Sequence, residues 1–416
     1  MRARRALGAL SLAAAACARP PREAAPPVAA PATTASAAAP IASDARRRVQ
    51  DTVRAVLDAA LADSAFPGAY AVVGTRDGVV AEYGVGRLDW AASEPRPDAH
   101  TLWDLASLTK VVGTTSAVMQ LVEQGKLSLD APVQRYLPEW TGPHKSEITL
   151  RHLITHSSGL PPFKVFPMDI GADSTRALFL RVQLDTLPGV RMAYSDIGFV
   201  LLGFIVARVS GEPLNEYVVR HVYEPLGMRE TFYRPDPSLR ARIAPTEFQP
   251  FRGGLVRGTV HDERAWRLDG VAGHAGLFST GADLARLARA YLNGGALDGR
   301  RAWAESTVTR FTSYVDSTFS NRGLGWQKPE RPGMRFTGPS AAWSGHVATT
   351  RAFGHTGFTG TSLYIDPGRN LFVILLSNRV NPTRDNPKIT PVRARLTDAV
   401  VAALGGALLP SASSRP

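Results

Sequence analysis

Two β-hairpin patterns lie near opposite ends of this 416-residue chain. Residues 69–83 contain two β-rich runs separated by a turn signal, and residues 363–376 repeat that arrangement. Mostly helical patterns fill the chain between them. The sequence therefore predicts an α+β fold: an antiparallel sheet built from the N- and C-terminal parts, flanked by helices, with a mainly helical subdomain inserted at about residues 112–290.

Three further segments have helical patterns. Residues 46–64 carry apolar side chains at helical spacing, residues 107–124 are apolar nearly all round, and residues 391–404 form a closing amphipathic helix. Residues 230–260 and 300–345 lack clean periodicity and are rich in Gly, Pro and polar residues. We expect long surface loops there.

The first 17 residues match a secretory signal. Arginines precede an apolar stretch, residues 6–16, that is far too short to span a bilayer. Cys17, the only cysteine, follows it. This arrangement resembles a bacterial lipoprotein signal, in which such a cysteine is acylated, although Ala14 stands where that pattern prefers Leu. The resemblance implies an exported protein anchored to a membrane through Cys17 and facing the periplasm or the exterior. The alternative is ordinary cleavage after an Ala-x-Ala triplet.

Composition divides the remaining chain. Residues 18–45 are mostly Ala, Pro, Ser and Thr, which predicts a flexible tether. Residues 46–408 are predicted to form the folded domain, and residues 409–416 a disordered tail.

The basic charge of the chain does not indicate nucleic-acid binding. The net charge is +12, but the arginines are scattered singly apart from one run at 46–48. We interpret them as a solvated surface. A single cysteine excludes a disulfide framework and a cysteine-based metal cluster.

A Ser-x-x-Lys pattern opens the helix predicted at 107–124. Residues three apart share a helix face, so Lys110 can reach the hydroxyl of Ser107. A serine hydroxyl is a poor nucleophile without an adjacent base. Lys110 can be that base only when neutral, which burial favours. Alone, the pattern is weak, because it occurs often by chance.

Two later segments carry further polar groups. Tyr194 offers a hydroxyl that can relay a proton, whereas Ser195 and Asp196 could simply cap the helix predicted at 197–209. His355 begins the predicted strand that ends at Ile365.

The order and spacing of these elements resemble the serine β-lactamase and penicillin-binding protein superfamily, nearest its class C and DD-peptidase-like branch. That family has Ser-x-x-Lys, then Tyr-x-Asn, then Lys- or His-Thr-Gly, and the similarity runs over about residues 48–405. Four flanking segments also fit: 153–160, 223–228, 270–280 and 376–379.

The resemblance implies an acyl-enzyme mechanism without metal or organic cofactor. Ser107 would attack a carbonyl, and Lys110 with Tyr194 would move the proton to the leaving group. The amides of Ser107 and Phe358 would form the oxyanion hole. Thr356 and Gly357 would line the substrate site, where Gly357 lets a substrate backbone come close.

Two departures from the family pattern bear on the substrate. Asp196 replaces the usual Asn, and an ionised carboxylate beside Lys110 would keep that lysine charged and shift proton transfer onto Tyr194. His355 replaces Lys and removes a permanent cation. Both changes favour a peptidase or an esterase over efficient β-lactam hydrolysis.

Arg379 is a candidate for the missing cation. It follows an apolar strand, at a position where loops often carry function, and a guanidinium binds a carboxylate in bidentate form. An exposed structural arginine is the alternative.

Other polar clusters are weaker candidates. His152 and His156 are four apart, but Leu153 stands where a zinc protease needs Glu, so we interpret both as structural. Residues 261–263 are interpreted as a solvated turn or an active-site rim rather than a metal site. The glycine-rich residues 270–276 are expected to form a loop beside the site, with His274 facing substrate.

The sequence thus predicts an exported serine hydrolase that acts on cell-wall peptides or on related amides or esters. A class C-like β-lactamase, a carboxylesterase and a catalytically idle, penicillin-recognising lipoprotein remain as alternatives. The expected ligand is a small molecule or peptide, with no nucleic acid.

Overall fold

The computed structural model describes residues 41–167, 169–315, 320–330 and 341–405. The predicted signal, Cys17, most of the tether and the predicted tail lie outside the described residues.

The helices alternate with short strands along the chain. The α-helices are α1 (Ser43–Ala62), α2 (Ser116–Glu123), α3 (Leu150–Ile154), α4 (Ala172–Arg181), α5 (Asp196–Ser210), α6 (Leu214–Val218), α7 (Glu224–Leu226), α8 (Glu263–Arg267), α9 (Gly281–Leu292), α10 (Glu305–Thr312), α11 (Ala341–Ser344) and α12 (Ile389–Ala403). The strands are β1 (Gly68–Thr75), β2 (Gly78–Gly86), β3 (Trp103–Asp104), β4 (Phe232–Tyr233), β5 (Phe248–Gln249), β6 (Gly254–Leu255), β7 (Leu277–Ser279), β8 (Ala296–Leu297), β9 (Arg300–Arg301), β10 (Phe353–Thr356), β11 (Ser362–Asp366) and β12 (Leu371–Ser377).

A five-stranded sheet joins the two ends of the described chain in the order β10-β11-β12-β1-β2. All four pairings are antiparallel, and in the central pair Val72 of β1 lies opposite Ile374 of β12. The sheet built from N- and C-terminal parts, which the hairpin patterns predict, is therefore confirmed.

Strands β1, β11 and β12 are buried on both faces, whereas β2 is partly exposed. Side chains alternate across a strand, so each buried strand contributes to two cores. On β1, Tyr70 and Val72 pack into a core with α9 and the helical region, whereas Ala71 and Val73 pack into a second core with α1 and α12. The β-rich runs therefore read as continuously apolar rather than alternating.

The helix predicted at 107–124 differs in detail. The backbone forms a 3₁₀ turn at Ala106–Leu108, a π-helical segment at Lys110–Thr115 and then α2. Its predicted burial is confirmed, since Lys110 through Leu121 are buried throughout. Wider helical turns of this kind occur frequently at functional sites.

Two predictions about the later chain are wrong. His355 lies on β10, separate from the strand β11 that contains Ile365, because a turn at 357–361 reverses the chain between them. In the sheet, β11 therefore lies between β10 and β12, the strand that precedes Arg379. Residues 230–260 and 300–345 also contain short helices and strands, including β4 and α10.

In the part of the chain that the structure describes, no one helix has the length and apolar character needed to cross a bilayer. The bent pair formed by α5 and residues 214–226 meets that test jointly, by length and composition only. Residues 197–206 of α5 are buried in the core.

Candidate active site

Ser107 lies in a tight turn that directly follows β3. The preceding residue, Ala106, adopts a φ of +45°, a conformation that a side chain disfavours by about 1–3 kcal/mol. The buried carboxylate of Asp104 accepts the Ala106 amide at 2.8 Å and the His261 amide at 2.6 Å. These bonds hold the turn in its strained form and fix the position of the Ser107 hydroxyl.

Lys110 is fully buried beside that hydroxyl. Its Nζ lies 3.0 Å from Ser107 Oγ, 2.8 Å from Asp196 Oδ1 and 3.2 Å from the His274 carbonyl oxygen. Burial opposes the charge, but the carboxylate of Asp196 and the hydroxyl of Tyr194 outweigh it and raise the pKa of Lys110. Lys110 is therefore an ammonium that donates to Ser107, as the departure at position 196 predicts.

Tyr194 is packed tightly against the same group. Its ring centroid lies 4.4 Å from that of His156 and 4.9 Å from Lys110 Nζ. The neighbouring Ser195 caps α5 by accepting the Gly198 amide at 3.4 Å. Both interpretations of residues 194–196 thus hold together: the serine caps the helix, and the residues beside it face Lys110.

A chain of alternating charges lies behind Lys110. The guanidinium of Arg264 lies 3.3 Å from Asp196 and 2.8 Å from Asp262, whose other oxygen lies 2.9 Å from His274 Nε2. Asp196, Asp262 and His274 are close enough to hold a metal ion. Two cations already neutralise the carboxylates, however, so a metal would have to displace Lys110 and Arg264.

The position of His274 corrects one expectation. Its side chain is 1% exposed and lines neither cavity at Ser107, because the ring turns back toward Asp262. Its backbone carbonyl, not its ring, contacts the site. Residues 261–263 are likewise no solvated turn: His261 is buried, and Asp262 caps α8 at the rim of a cavity.

The histidines at 152 and 156 have structural roles, as expected. The ring of His152 forms a capping box with Thr149 at the start of α3. His156 Nδ1 accepts the Ser195 amide at 3.0 Å, so it holds the backbone next to Tyr194.

His355 is buried and neutral at the end of β10. Its Nδ1 donates to the Thr356 carbonyl at 2.8 Å, which leaves Nε2 as a buried acceptor with no partner within the described part of the chain. Burial, together with the charges of Arg322 and Lys110, holds the pKa of His355 well below its usual range. The predicted loss of a fixed cation at this position follows directly from that environment.

Gly357 brings the end of β10 against the turn of Ser107. A Cβ at this position would lie 2.0 Å from Thr361 Oγ1 and 2.4 Å from the Leu105 carbonyl oxygen. Any side chain would push the strand away from the serine. The close backbone approach therefore requires glycine. The requirement comes from contacts within the protein and does not depend on a bound substrate.

Two cavities meet at Ser107. One, of about 580 Å³, runs along β10 and is lined by His355, Thr356 and Gly357. The other, of about 670 Å³, lies on the side of Asp196. Ser107, Tyr194 and Phe358 line both.

A family model described as Beta-lactamase matches residues 53–397. The chain belongs to the beta-lactamase family. The resemblance seen in the sequence and the predicted fold class are both confirmed, and the protein is an enzyme of the serine hydrolase type.

Relatives and solved structures agree with this membership. A "Putative D-alanyl-D-alanine carboxypeptidase" from Salmonella schwarzengrund is 32% identical over 326 residues, which cover 71% of this chain and 73% of that protein. A penicillin-binding protein homologue from Caulobacter crescentus shares the fold, with a TM-score of 0.68, 24% identity and coverage of 86% and 97%. A beta-lactamase from Mycobacterium bovis has a TM-score of 0.55, 25% identity and coverage of 84% and 99%.

Three arginines line the cavity along β10 in this beta-lactamase family member. Arg322, Arg379 and Arg393 contribute to its wall, which contains no acidic side chain among the described residues. None of the three has a carboxylate within ion-pair distance in the described ranges. The cavity is therefore strongly positive.

The guanidinium of Arg379 donates its hydrogen bonds to backbone carbonyls. Its Nε donates to the Phe358 carbonyl at 2.8 Å, and one terminal nitrogen donates to the carbonyls of Arg384 and Asn386 at 2.6 and 3.0 Å. The structure places Arg379 in the cavity, as expected, but these bonds hold the loop that carries Phe358. No observation tests the carboxylate-anchor role that the sequence predicts for Arg379, and these bonds favour a structural role instead.

Arg322 is the residue that sequence reasoning missed. It is 3% exposed, and burial lowers its pKa to about 10. Its Nε and one terminal nitrogen have no hydrogen-bond partner among the residues that the structure describes. Its guanidinium lies 5.3 Å from the centre of the Tyr194 ring. No signal in the sequence marks it, because it lies in a segment without periodicity.

Arg393 was missed as well. It is carried by the amphipathic helix α12, and one terminal nitrogen donates to the carbonyls of Gly357 and Thr361 at 2.7 and 2.9 Å. It therefore fixes the turn between β10 and β11 while adding positive charge to the cavity.

Proposed function

We propose that this protein is an exported serine hydrolase that forms an acyl-enzyme through Ser107. It acts as a DD-peptidase-like, penicillin-binding enzyme on cell-wall peptides or related amides and esters. The similarity to the Salmonella protein named a putative D-alanyl-D-alanine carboxypeptidase supports this substrate class, and the positively charged cavity beside Ser107 is the observation on which the proposal rests.

The geometry supports acyl transfer with Tyr194 as the proton relay. The Ser107 oxygen bonds to the substrate carbonyl carbon, and its proton passes through the Tyr194 hydroxyl to the leaving nitrogen or oxygen as that bond breaks. Lys110 stays an ammonium and stabilises the negative charge that develops. Water then hydrolyses the acyl-serine ester, which releases the acid and restores the serine hydroxyl.

The arginine-lined cavity favours a substrate that carries a carboxylate next to the scissile bond. A carboxypeptidase removes the C-terminal residue, so this carboxylate belongs to the leaving group. Because His355 is neutral, the charge that binds the carboxylate must come from arginine. Arg322 has unpartnered donors in the buried wall, and charged hydrogen bonds to a carboxylate would satisfy them.

A matched pair of substrates tests this assignment. One is a depsipeptide that ends in D-lactate with a free carboxylate, and the other is its methyl ester. We expect Arg322→Gln to raise KM for the free carboxylate at least about tenfold and to leave the methyl ester nearly unchanged. Arg310→Gln, an exposed arginine on α10, is the control. An equal effect of Arg322→Gln on both substrates would reject carboxylate recognition.

A carboxylesterase or a class C-like β-lactamase remains the second candidate. The apolar side chains in the cavity on the Asp196 side favour the esterase, since they suit an uncharged ester. Fluorescent penicillin separates the three: slow release after labelling indicates a peptidase, fast turnover a β-lactamase, and ester hydrolysis without labelling an esterase. Binding without turnover of any substrate would indicate the idle binding protein.

We also propose that Cys17 carries a lipid anchor in the native host. The arginine-rich start, the short apolar stretch and the lone cysteine support it. Cys17→Ser should release the protein from membranes. Recovery of the unaltered protein wholly in the soluble fraction would reject the anchor.

A further inference from the structure

The cavity on the Asp196 side of Ser107 concentrates exposed aromatic side chains. Phe163, Phe251 and Phe358 line it and are 55%, 53% and 46% exposed. Among the described residues only one other phenylalanine, Phe248, is exposed to this degree. A soluble protein rarely gathers exposed apolar groups in one place without a ligand to cover them.

The aromatic rings are held in position by neighbouring charged groups. The Arg264 guanidinium lies 5.2 Å from the centre of the Phe163 ring, and that of Arg379 lies 4.4 Å from the centre of the Phe358 ring. The ring of Phe358 is also stacked on that of His261, with 5.7 Å between the centroids. These contacts keep both phenylalanines at the cavity wall, where about half of each side chain stays exposed. The cavity therefore presents pre-positioned aromatic surface.

Most charged groups of this cavity are paired with one another, unlike those of the arginine-lined cavity. Arg264 is paired with Asp196 and Asp262, and Arg384 is paired with Glu263. Of the two other cationic residues in the lining, Lys164 is exposed, and Arg267 donates to the Ile170 carbonyl while its Nε and other terminal nitrogen have no partner among the described residues. A free carboxylate gains little from the paired guanidinium groups, because acidic side chains already neutralise them. An apolar group gains by covering the rings.

Ser107 lines both cavities, so the two parts of a substrate that flank the scissile bond would lie in different cavities. We propose that the cavity on the Asp196 side binds a large apolar, aryl-bearing acyl group, while the carboxylate-bearing leaving group lies among the arginines. This inference rests on the proposed function, in which the carboxylate belongs to the leaving residue. It adds the chemical class of the acyl half.

The test compares two depsipeptides with the same D-lactate leaving group, phenylacetyl-glycyl-D-lactate and acetyl-glycyl-D-lactate. We expect kcat/KM to be at least about tenfold higher for the phenylacetyl substrate. Phe163→Ala and Phe251→Ala should each remove most of that preference. Phe248→Ala, which is 57% exposed but outside the cavity, is the matched control and should keep it.

The fate of the acyl-enzyme shows which half lies in which cavity. After the leaving group departs, only the acyl half contacts the protein. Phe251→Ala should therefore change the deacylation rate of the phenylacetyl-glycyl enzyme, whereas Arg322→Gln should change acylation alone.

Acylation of Ser107 by the two substrates separates the aryl-binding assignment from the proposed function. If both substrates acylate Ser107 with equal efficiency, the proposed function stands and the aryl-binding assignment is wrong. If Phe248→Ala reduces the preference as much as Phe251→Ala, the assignment is also wrong. If neither substrate acylates Ser107, the proposed function itself fails.

Discussion

The Nζ atom of Lys110 lies 2.8 Å from a carboxylate oxygen of Asp196, and Lys110 is fully buried. At this distance the pair keeps the lysine charged, which departs from a mechanism in which a neutral lysine takes the serine proton. In the mechanism that we propose, the carboxylate at position 196 therefore leaves the transfer of the serine proton to Tyr194.

Asp196→Asn should move the pH dependence of the reaction. Removing the negative charge lowers the pKa of Lys110, so the ammonium is lost at lower pH. The descending alkaline limb of kcat/KM should shift to lower pH by about one unit or more. The measurement is a pH profile with a neutral ester, and Asp44→Asn, an exposed carboxylate, is the control. An unchanged alkaline limb would contradict the role of Lys110 as an ammonium.

Lys110→Ala and Tyr194→Phe should each lower kcat by roughly two orders of magnitude or more, the scale of general acid–base catalysis. Because the Lys110 ammonium and the Tyr194 hydroxyl act in the same acylation step, the double variant should lose less than the product of the single losses. Steady-state rates of the three variants decide this. A kcat loss in the double variant equal to the product of the two single losses would show that the two residues act in separate steps.

Arg379→Ala should act mainly on stability. Its guanidinium donates to three backbone carbonyls, including that of Phe358, so truncation leaves the loop around the cavity without these bonds. We expect a lower Tm and similar losses with the free D-lactate substrate and its methyl ester. A KM increase confined to the free carboxylate, at unchanged Tm, would instead restore Arg379 as the carboxylate anchor.

The stability of the fold should fall below about pH 6.5. Burial holds the pKa of His156 and His355 well below the usual range. The unfolded chain therefore binds protons that the folded chain does not, and stability present above pH 6.5 is lost as the pH falls. Each histidine contributes up to about 1.4 kcal/mol per pH unit.

Urea unfolding at pH 7 and pH 5.5 measures this loss. The wild type should lose more stability between the two values than His355→Gln. Asp196 and Asp262, whose pKa values are lowered, contribute only at more acidic pH, so they do not mask the effect. The same loss in both proteins would contradict a neutral, buried His355.

Local patterns accounted for much of the fold and for the reactive group. Apolar runs around turn signals predicted β1, β2, β11 and β12, because strand periodicity and turn chemistry are local properties. The Ser-x-x-Lys pattern placed Lys110 beside Ser107 because residues three apart share a helical face. The position of Asp196 beside Lys110 came from the resemblance to the family, and the charged state of the lysine followed from the electrostatics of that pair.

Long-range packing explains what the sequence did not predict. Arg322 and Arg393 reach the cavity from an aperiodic segment and from a helix whose pattern indicates only amphipathicity. Arg264, which pairs with Asp196, lies on α8. The ring of His274 turns away from the cavity because its Nε2 is hydrogen-bonded to the carboxylate of Asp262. Such arrangements depend on how distant elements pack, and no spacing in the chain encodes them.

Mass spectrometry of the quenched reaction shows whether Ser107 carries the acyl group. With a D-lactate depsipeptide or a penicillin, the wild type should gain the mass of the acyl group on the peptide that contains Ser107. Ser107→Ala should gain no mass and lose turnover at an unchanged Tm, because the substitution removes one hydroxyl. Wild-type turnover by Ser107→Ala, or an adduct on another residue, would exclude Ser107 as the nucleophile.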